Sequence, residues 1–224
     1  MAQRVIRLKS TSSTQDEARR LWASGRAGVG DVVLADTQTE GRGRCGRSWV
    51  SPTGGLYTTF LLQPTPLMPL RTGLALAAAL TGMSIDAQLK WPNDVLVSGR
   101  KIAGMLVEMH GGVAFLGLGV NVESAPFESS DCVHNWNSSI VPEEILCQIR
   151  HAMEQWLTCT DGETLAAYRA TCCTLGIQVR IERTRGQIIE GTAIDINTAG
   201  CLQVRTSDVV RTVCSGDCLH LRVA

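Results

Sequence analysis

The 224-residue chain predicts an α+β protein: a mixed β-sheet packed with helices over residues 1–173, followed by a small closed β-barrel over 174–224. Two observations carry this. Through the first three quarters, segments with helical apolar spacing interrupt short β-rich runs irregularly. After Gly176 the texture changes to five short alternating strands in under 50 residues, each bounded by turn residues. A module that small buries too little core to stand comfortably alone, so it is expected to dock on the larger domain.

The elements follow in chain order. Val5 to Leu8 reads as a strand. Ser13-Thr14-Gln15-Asp16-Glu17 offers a capping-box start to a helix that turns Ala18, Leu21 and Trp22 inward and stops at Gly25. Asp31 to Gln38 is a second strand, and a glycine–arginine loop covers Gly41 to Trp49. Leu56 to Leu62 is a strand, and Pro66 to Leu80 an Ala/Leu helix whose small residues permit close packing on a sheet. A meander follows: Ala87 to Trp91, the turn Pro92-Asn93-Asp94, Val95 to Val97, the turn Ser98-Gly99, Ile102 to Met109, and Val113 to Val122. Helices are expected from Pro142 to Leu157, with proline in the first turn, and from Glu163 to Cys172. The barrel strands are Ile177 to Ile181, Gln187 to Ile196, Cys201 to Arg205, Val209 to Val213 and Cys218 to Leu221, with one turn at Arg185-Gly186.

Charge narrows the function. Lys+Arg and Asp+Glu both number 21, which argues against a globally basic nucleic-acid binder. The zero is a cancellation: residues 41–104 carry seven bases against two acids, and residues 105–170 two bases against nine acids. Between Glu40 and Asp86 there is no acid at all, while Arg42, Arg44, Arg47 and Arg71 fall in that gap. Such a stretch is expected where an anion must not be repelled. No apolar leader or run of membrane-spanning length occurs, and the nine cysteines are odd in number with no CxxC pair; reduced, scattered thiols in a cytoplasmic protein are the expectation.

Three constellations carry chemistry. Gly41-Arg-Gly-Arg-Cys-Gly46 satisfies the dinucleotide pattern GxGxxG, but neither the following helix nor the ribose-binding acid that the pattern requires is present, so that reading fails. What remains is three guanidiniums on a glycine-rich backbone, suited to binding carboxylate or phosphate oxygens. Leu89-Lys90-Trp91-Pro92-Asn93-Asp94 and Gly99-Arg100-Lys101-Ile102-Ala103-Gly104 hold two of the three lysines of an otherwise arginine-dominated chain, and a retained lysine points to a compact ammonium donor. Phe115 to Val122 is an apolar strand with two glycines that let a ligand approach, ending on Asn121.

Together these blocks closely resemble the biotin protein ligase (biotin–acetyl-CoA-carboxylase ligase) family, through Ser13-Thr14-Gln15, Gln38, Gly41 to Trp49, Lys90 to Asp94, Arg100 to Gly104 and Gly117 to Asn121. The resemblance implies a biotin/lipoate ligase-like catalytic domain and an SH3-like C-terminal module. It implies ATP-dependent conversion of biotin to biotinyl-5′-AMP and transfer to a lysine of a biotin carboxyl carrier protein of a biotin-dependent carboxylase, with Mg²⁺ accompanying ATP. Carried over by position, Ser13, Thr14, Gln15, Gln38, Arg42, Gly43, Arg44, Lys90 and Gly104 would contact biotin. Arg44, Arg47, Trp49, Asn93, Lys101, Asn121 and Trp136 would serve ATP, with Mg²⁺ placed near Asn121. Lys90 and Arg44 would be catalytic. No direct metal motif, nucleic acid or membrane partner is expected, a homodimer is compatible, and Ser13-Thr14 follows the first strand too closely for a preceding DNA-binding helix pair. A lipoate-type ligase and a silent biotin or nucleotide binder are the rival readings.

Overall fold

A computed structural model describes residues 4–183 and 186–221; Arg185 of the expected turn lies outside them. A seven-stranded mixed sheet runs in the order β1-β2-β3-β7-β6-β5-β4, from β1 (Val5–Leu8), β2 (Val32–Ala35), β3 (Leu56–Leu62), β4 (Gln88–Lys90), β5 (Asp94–Val97), β6 (Arg100–His110) and β7 (Val113–Val120). Only β1 and β2 pair in parallel, which the crossover through α1 (Thr14–Ala23) allows; the other pairs are antiparallel.

Strand alternation divides the sheet's faces. Val33, Leu61 and Phe115 meet Ala18 and Leu21 of α1 on one side. Val32, Phe60, Leu116 and Leu118 join the Ala/Leu face of α2 (Met68–Gly82) on the other, and α3 (Pro142–Trp156) and α4 (Asp161–Thr171) pack outside α2. The α2 end is tied to the α3–α4 link by Arg71, almost fully buried, which donates to the carbonyls of Pro66, Trp156 and Cys159 and pairs with Asp161 at 2.7 Å. Arg71 is therefore structural, although it falls in the acid-free stretch.

The C-terminal strands β8 (Gln178–Glu182), β9 (Ile188–Ile196), β10 (Leu202–Arg205), β11 (Val210–Val213) and β12 (Asp217–His220) form an antiparallel sheet in the order β11-β10-β9-β8-β12. The module is thus a five-stranded antiparallel sheet domain, in keeping with the SH3-like module expected; among the described residues no ladder joins β11 to β12. It docks as anticipated: Val179, Ile181, Ala193 and Val204 belong to the same continuous core as α2 and β6. At the junction Trp91 donates its indole N–H to the Gly200 carbonyl (3.2 Å) and its amide to Thr174 Oγ1 (3.0 Å), and Arg169 pairs with Asp195 at 2.6 Å.

Thr174 Oγ1 also lies 3.0 Å from Nε2 of His220. Burial, and then the charge of Lys90, push His220 down to about 4. The unfolded chain takes up this proton near the ordinary value of 6.5 and the folded chain only near 4, so stability is full above 6.5 and is lost as the pH falls from there towards 4. Thermal unfolding followed across that window is expected to show this loss, and His220→Asn is expected to flatten it.

Two further expectations change. The capping box lies at Thr160–Glu163 on α4, not at Ser13, whose hydroxyl makes no cap. Cys201 and Cys214 form a disulfide, so the thiols are not all free; the other seven cysteines are. The two lie on facing segments flanking the β10–β11 hairpin, a proximity that their 13-residue spacing does not advertise.

Candidate functional site

A cavity of about 120 Å³ opens on the α1 face of the sheet, where β3, β7 and β6 meet the glycine–arginine loop and one corner of the C-terminal module. Its inner wall is a chain of hydrogen bonds. Gln15 donates to the Phe115 carbonyl (3.0 Å) and accepts from Thr59 Oγ1 (3.0 Å). Thr14 donates its amide (2.8 Å) and hydroxyl (3.1 Å) to Gln38 Oε1, and Gln38 donates onward to Ser51 Oγ (2.9 Å). Each side-chain amide is thus fixed in orientation by neighbours from other parts of the chain. Two buried polar atoms at this wall have no protein partner, Ser13 Oγ and Trp49 Nε1, and buried polar atoms left unpaired are costly unless a ligand or water completes them.

The loop turns tightly at Arg44–Gly46, closed by the Arg47 amide donating to the Arg44 carbonyl (3.1 Å) and braced by the Gly43 amide donating to the Arg47 carbonyl (2.7 Å), with Cys45 and Gly46 both left-handed at φ 54° and 75°. Its arginines reach three separate anchors. Arg42 pairs with Asp16 (2.6 Å) and Glu108 (2.8 Å), which also hold Arg19. Arg44 donates to Asn93 Oδ1 (2.9 Å) and approaches the Gly216 carbonyl (3.5 Å). Arg47 pairs with Asp217, whose hydrogen bonds hold the guanidinium's proton more firmly than usual. The acid-free sequence is therefore not acid-free in space: α1, β6 and β12 supply the carboxylates.

Lys101 extends from β6 to Asp94 (2.7 Å), its Nζ 5.1 Å from the centre of the Trp49 ring, a cation–π distance. The indole lies flat enough on β7 that a Cβ at Gly119 would run into it. Gly119→Val is expected to lift Trp49 off the strand, to be checked by a shift of the variant's tryptophan fluorescence emission against the unaltered chain. Arg42 at the rim is balanced by Asp16 and Glu108, and the interior carries three cationic side chains, Arg44, Arg47 and Lys101, against two acids, Asp94 and Asp217, a net positive charge that favours anionic ligands.

Of the residues expected at the site, Ser13, Thr14, Gln15, Gln38, Arg42, Gly43, Arg44, Arg47, Trp49, Asn93, Lys101 and Gly104 line this cavity. Lys90, Asn121 and Trp136 do not. Lys90 ends β4, and the following turn sends Asn93 and Asp94 to the cavity while Trp91 fills the core and the charge of Lys90 bears on Cys173, Cys218 and His220 at the module junction. Asn121 is buried and donates to the Asp131 carbonyl (3.0 Å), fastening the segment after β7. Trp136 is 45% exposed, with its indole N–H on Asp131 Oδ2 (3.3 Å). Arg42, though at the rim, spends its guanidinium on Asp16 and Glu108 rather than on the interior.

Sequence reasoning missed Gly216 and Asp217, which the C-terminal module brings to the cavity, and Thr58 on β3. Asp217 carries no local motif; only its place in the last strand sets it there. Among the described residues no cluster of three or more His, Cys, Asp or Glu suits a metal ion.

The sequence matches the biotin/lipoate A/B protein ligase family over residues 7–123 and the biotin protein ligase C-terminal domain over residues 174–221. It is 33% identical to a biotin–acetyl-CoA-carboxylase ligase of Mycobacterium tuberculosis, over 95% of this chain and 87% of that one. It is 32% identical to the ligase of the same name from Paracoccus denitrificans, over 88% and 92%. The fold is similar to that of the biotin protein ligase from Aquifex aeolicus in complex with biotin and ATP, with a TM-score of 0.86 and 28% identity over 99% of this chain and all of that one.

Proposed function

The chain belongs to the biotin/lipoate A/B protein ligase family and is a biotin protein ligase, and from that premise we propose how its cavity performs the reaction. A carboxylate is a poor acyl electrophile because it is anionic. It becomes reactive when its oxygen attacks the α-phosphorus of ATP, the bond to the bridging oxygen breaks, and pyrophosphate leaves with the electron pair, giving biotinyl-5′-AMP. Two anions must be brought together for this, and the cationic excess of the cavity is the observation that carries the proposal.

Biotin would lie along the wall from Ser13 to Gln15, where Ser13 Oγ lacks a partner, with its carboxylate towards Lys101 and Arg44. Asp94 holds the ammonium of Lys101 in place, and Asn93 holds the Arg44 fork, so both are aimed before substrate arrives. Preorganised charges of this kind act on the developing negative charge without reorganisation, each worth roughly 2.7–4 kcal/mol. Arg47 would receive the outer phosphates on leaving Asp217. Mg²⁺ typically binds through one or two carboxylates plus substrate phosphates; Asp94 and Asp217, the two acids lining the cavity, fit that role better than Asn121, and the ion would supply further charge neutralisation of the triphosphate. The acceptor is a lysine of a biotin carboxyl carrier domain, whose amine displaces AMP.

The test is biotin-dependent exchange of labelled pyrophosphate into ATP. Exchange with biotin is expected; exchange with lipoate alone, or tight biotin binding without exchange, would overturn the proposal.

A further inference from the structure

A second cavity, of about 330 Å³, adjoins the first and shares with it Arg44, Asn93, Met105 and Leu106. It lies between the start of α2, the turn after β4 and the β9–β10 loop of the C-terminal module. Its walls are largely apolar, with Leu67, Leu70, Trp91 and Val107 among them. No carboxylate lines it, and its sole charged side chain is Arg44, at the wall shared with the first cavity. Two of the polar groups at its walls are already committed: Asn93 Oδ1 accepts from Arg44, and the Gly200 carbonyl accepts from Trp91.

We propose that this cavity is the entry path of the acceptor lysine, and that its chemistry delivers the amine uncharged; the inference rests on the ligase reading above. An ammonium entering it would lose its hydration, find no counter-ion and approach the guanidinium of Arg44, and both effects favour release of its proton to solvent. The neutral nitrogen then attacks the acyl carbon of the adenylate across the shared wall. The N–C bond forms, the C–O bond to phosphate breaks, AMP departs with that electron pair, and the second amine proton goes to solvent. The aliphatic stem of the lysine is matched by the apolar walls. A cavity built to hold an ammonium would instead carry a carboxylate, as the first cavity does for Lys101.

The test fills the path from two sides. Ala199, exposed on the β9–β10 loop, and Val107, half-buried on β6, line this cavity and not the first. Ala199→Trp and Val107→Trp are compared with the unaltered full chain in pyrophosphate exchange, and in single-turnover transfer from enzyme-bound adenylate. The acceptors are a biotin carboxyl carrier domain and the small amine Nα-acetyl-lysine methylamide. Exchange is expected to stay within about twofold while transfer to both acceptors falls about tenfold or more. Unchanged transfer in both variants would overturn the proposal. So would a fall with the carrier alone, which would make this face a docking surface rather than the amine's path. Failure of the ligase reading is separate, since it would appear as absence of biotin-dependent exchange in the unaltered chain.

Discussion

Replacing Lys101 with alanine is expected to slow biotin-dependent pyrophosphate exchange by about 10²–10³-fold with the fold intact, the cost typical of removing one preorganised donor from a developing anion. Its ammonium is the one lysine nitrogen at the cavity, held by Asp94 at 2.7 Å and set against the Trp49 ring. Lys90→Ala provides the contrast. Lys90 does not line the cavity, so its loss is expected to cost less than about tenfold in exchange and to act on the junction around His220 and Cys218. Equal, large losses in the two variants would return Lys90 to the mechanism.

Arg44→Gly is expected to produce a different defect. Arg44 bonds Asn93, approaches Gly216 and borders both cavities, so it serves both formation of the adenylate and its confinement. Without it, exchange should slow about tenfold or more, and the adenylate that does form should escape as a freely diffusing acylating agent. Incubation with a bystander protein and blotting for biotin reads this directly. If nonspecific labelling does not rise above that of the unaltered chain, Arg44 does not retain the intermediate.

Much of this architecture was legible in the amino-acid order because local rules and tertiary packing agree. The Leu56 to Leu62 strand was read to the residue, since its β-rich run is bounded by Gly54-Gly55 and the proline-rich segment at 64–69. The Ala/Leu helix and the five late strands were legible for the same reason. The glycine–arginine loop was recognisable because so few residue types can make a backbone of that shape carry three guanidiniums.

What was not legible depends on which way a side chain turns. A contiguous motif such as Lys90 to Asp94 looks like one functional unit, yet a hairpin turn distributes its residues among cavity, core and module junction. The missing acids misled for a related reason: sequence proximity is a poor guide to charge neighbours when Asp16, Glu108 and Asp217 arrive from distant elements. Asp217 could not have been found without the docking of the last strand against the first domain.

The mooring of the arginine loop has a consequence for how the enzyme responds to its electrolyte. Arg42 and Arg47 are held at rest by partly exposed ion pairs, with side chains 39% and 61% accessible, rather than by burial. Contacts of that kind are individually weak and are screened within about 8–10 Å at physiological ionic strength. Raising salt therefore loosens the empty loop and weakens its attraction for ATP in the same stroke, so turnover at limiting nucleotide should fall with ionic strength more steeply than turnover at saturation. The resting position of the loop is thus a property of the solution as well as of the chain.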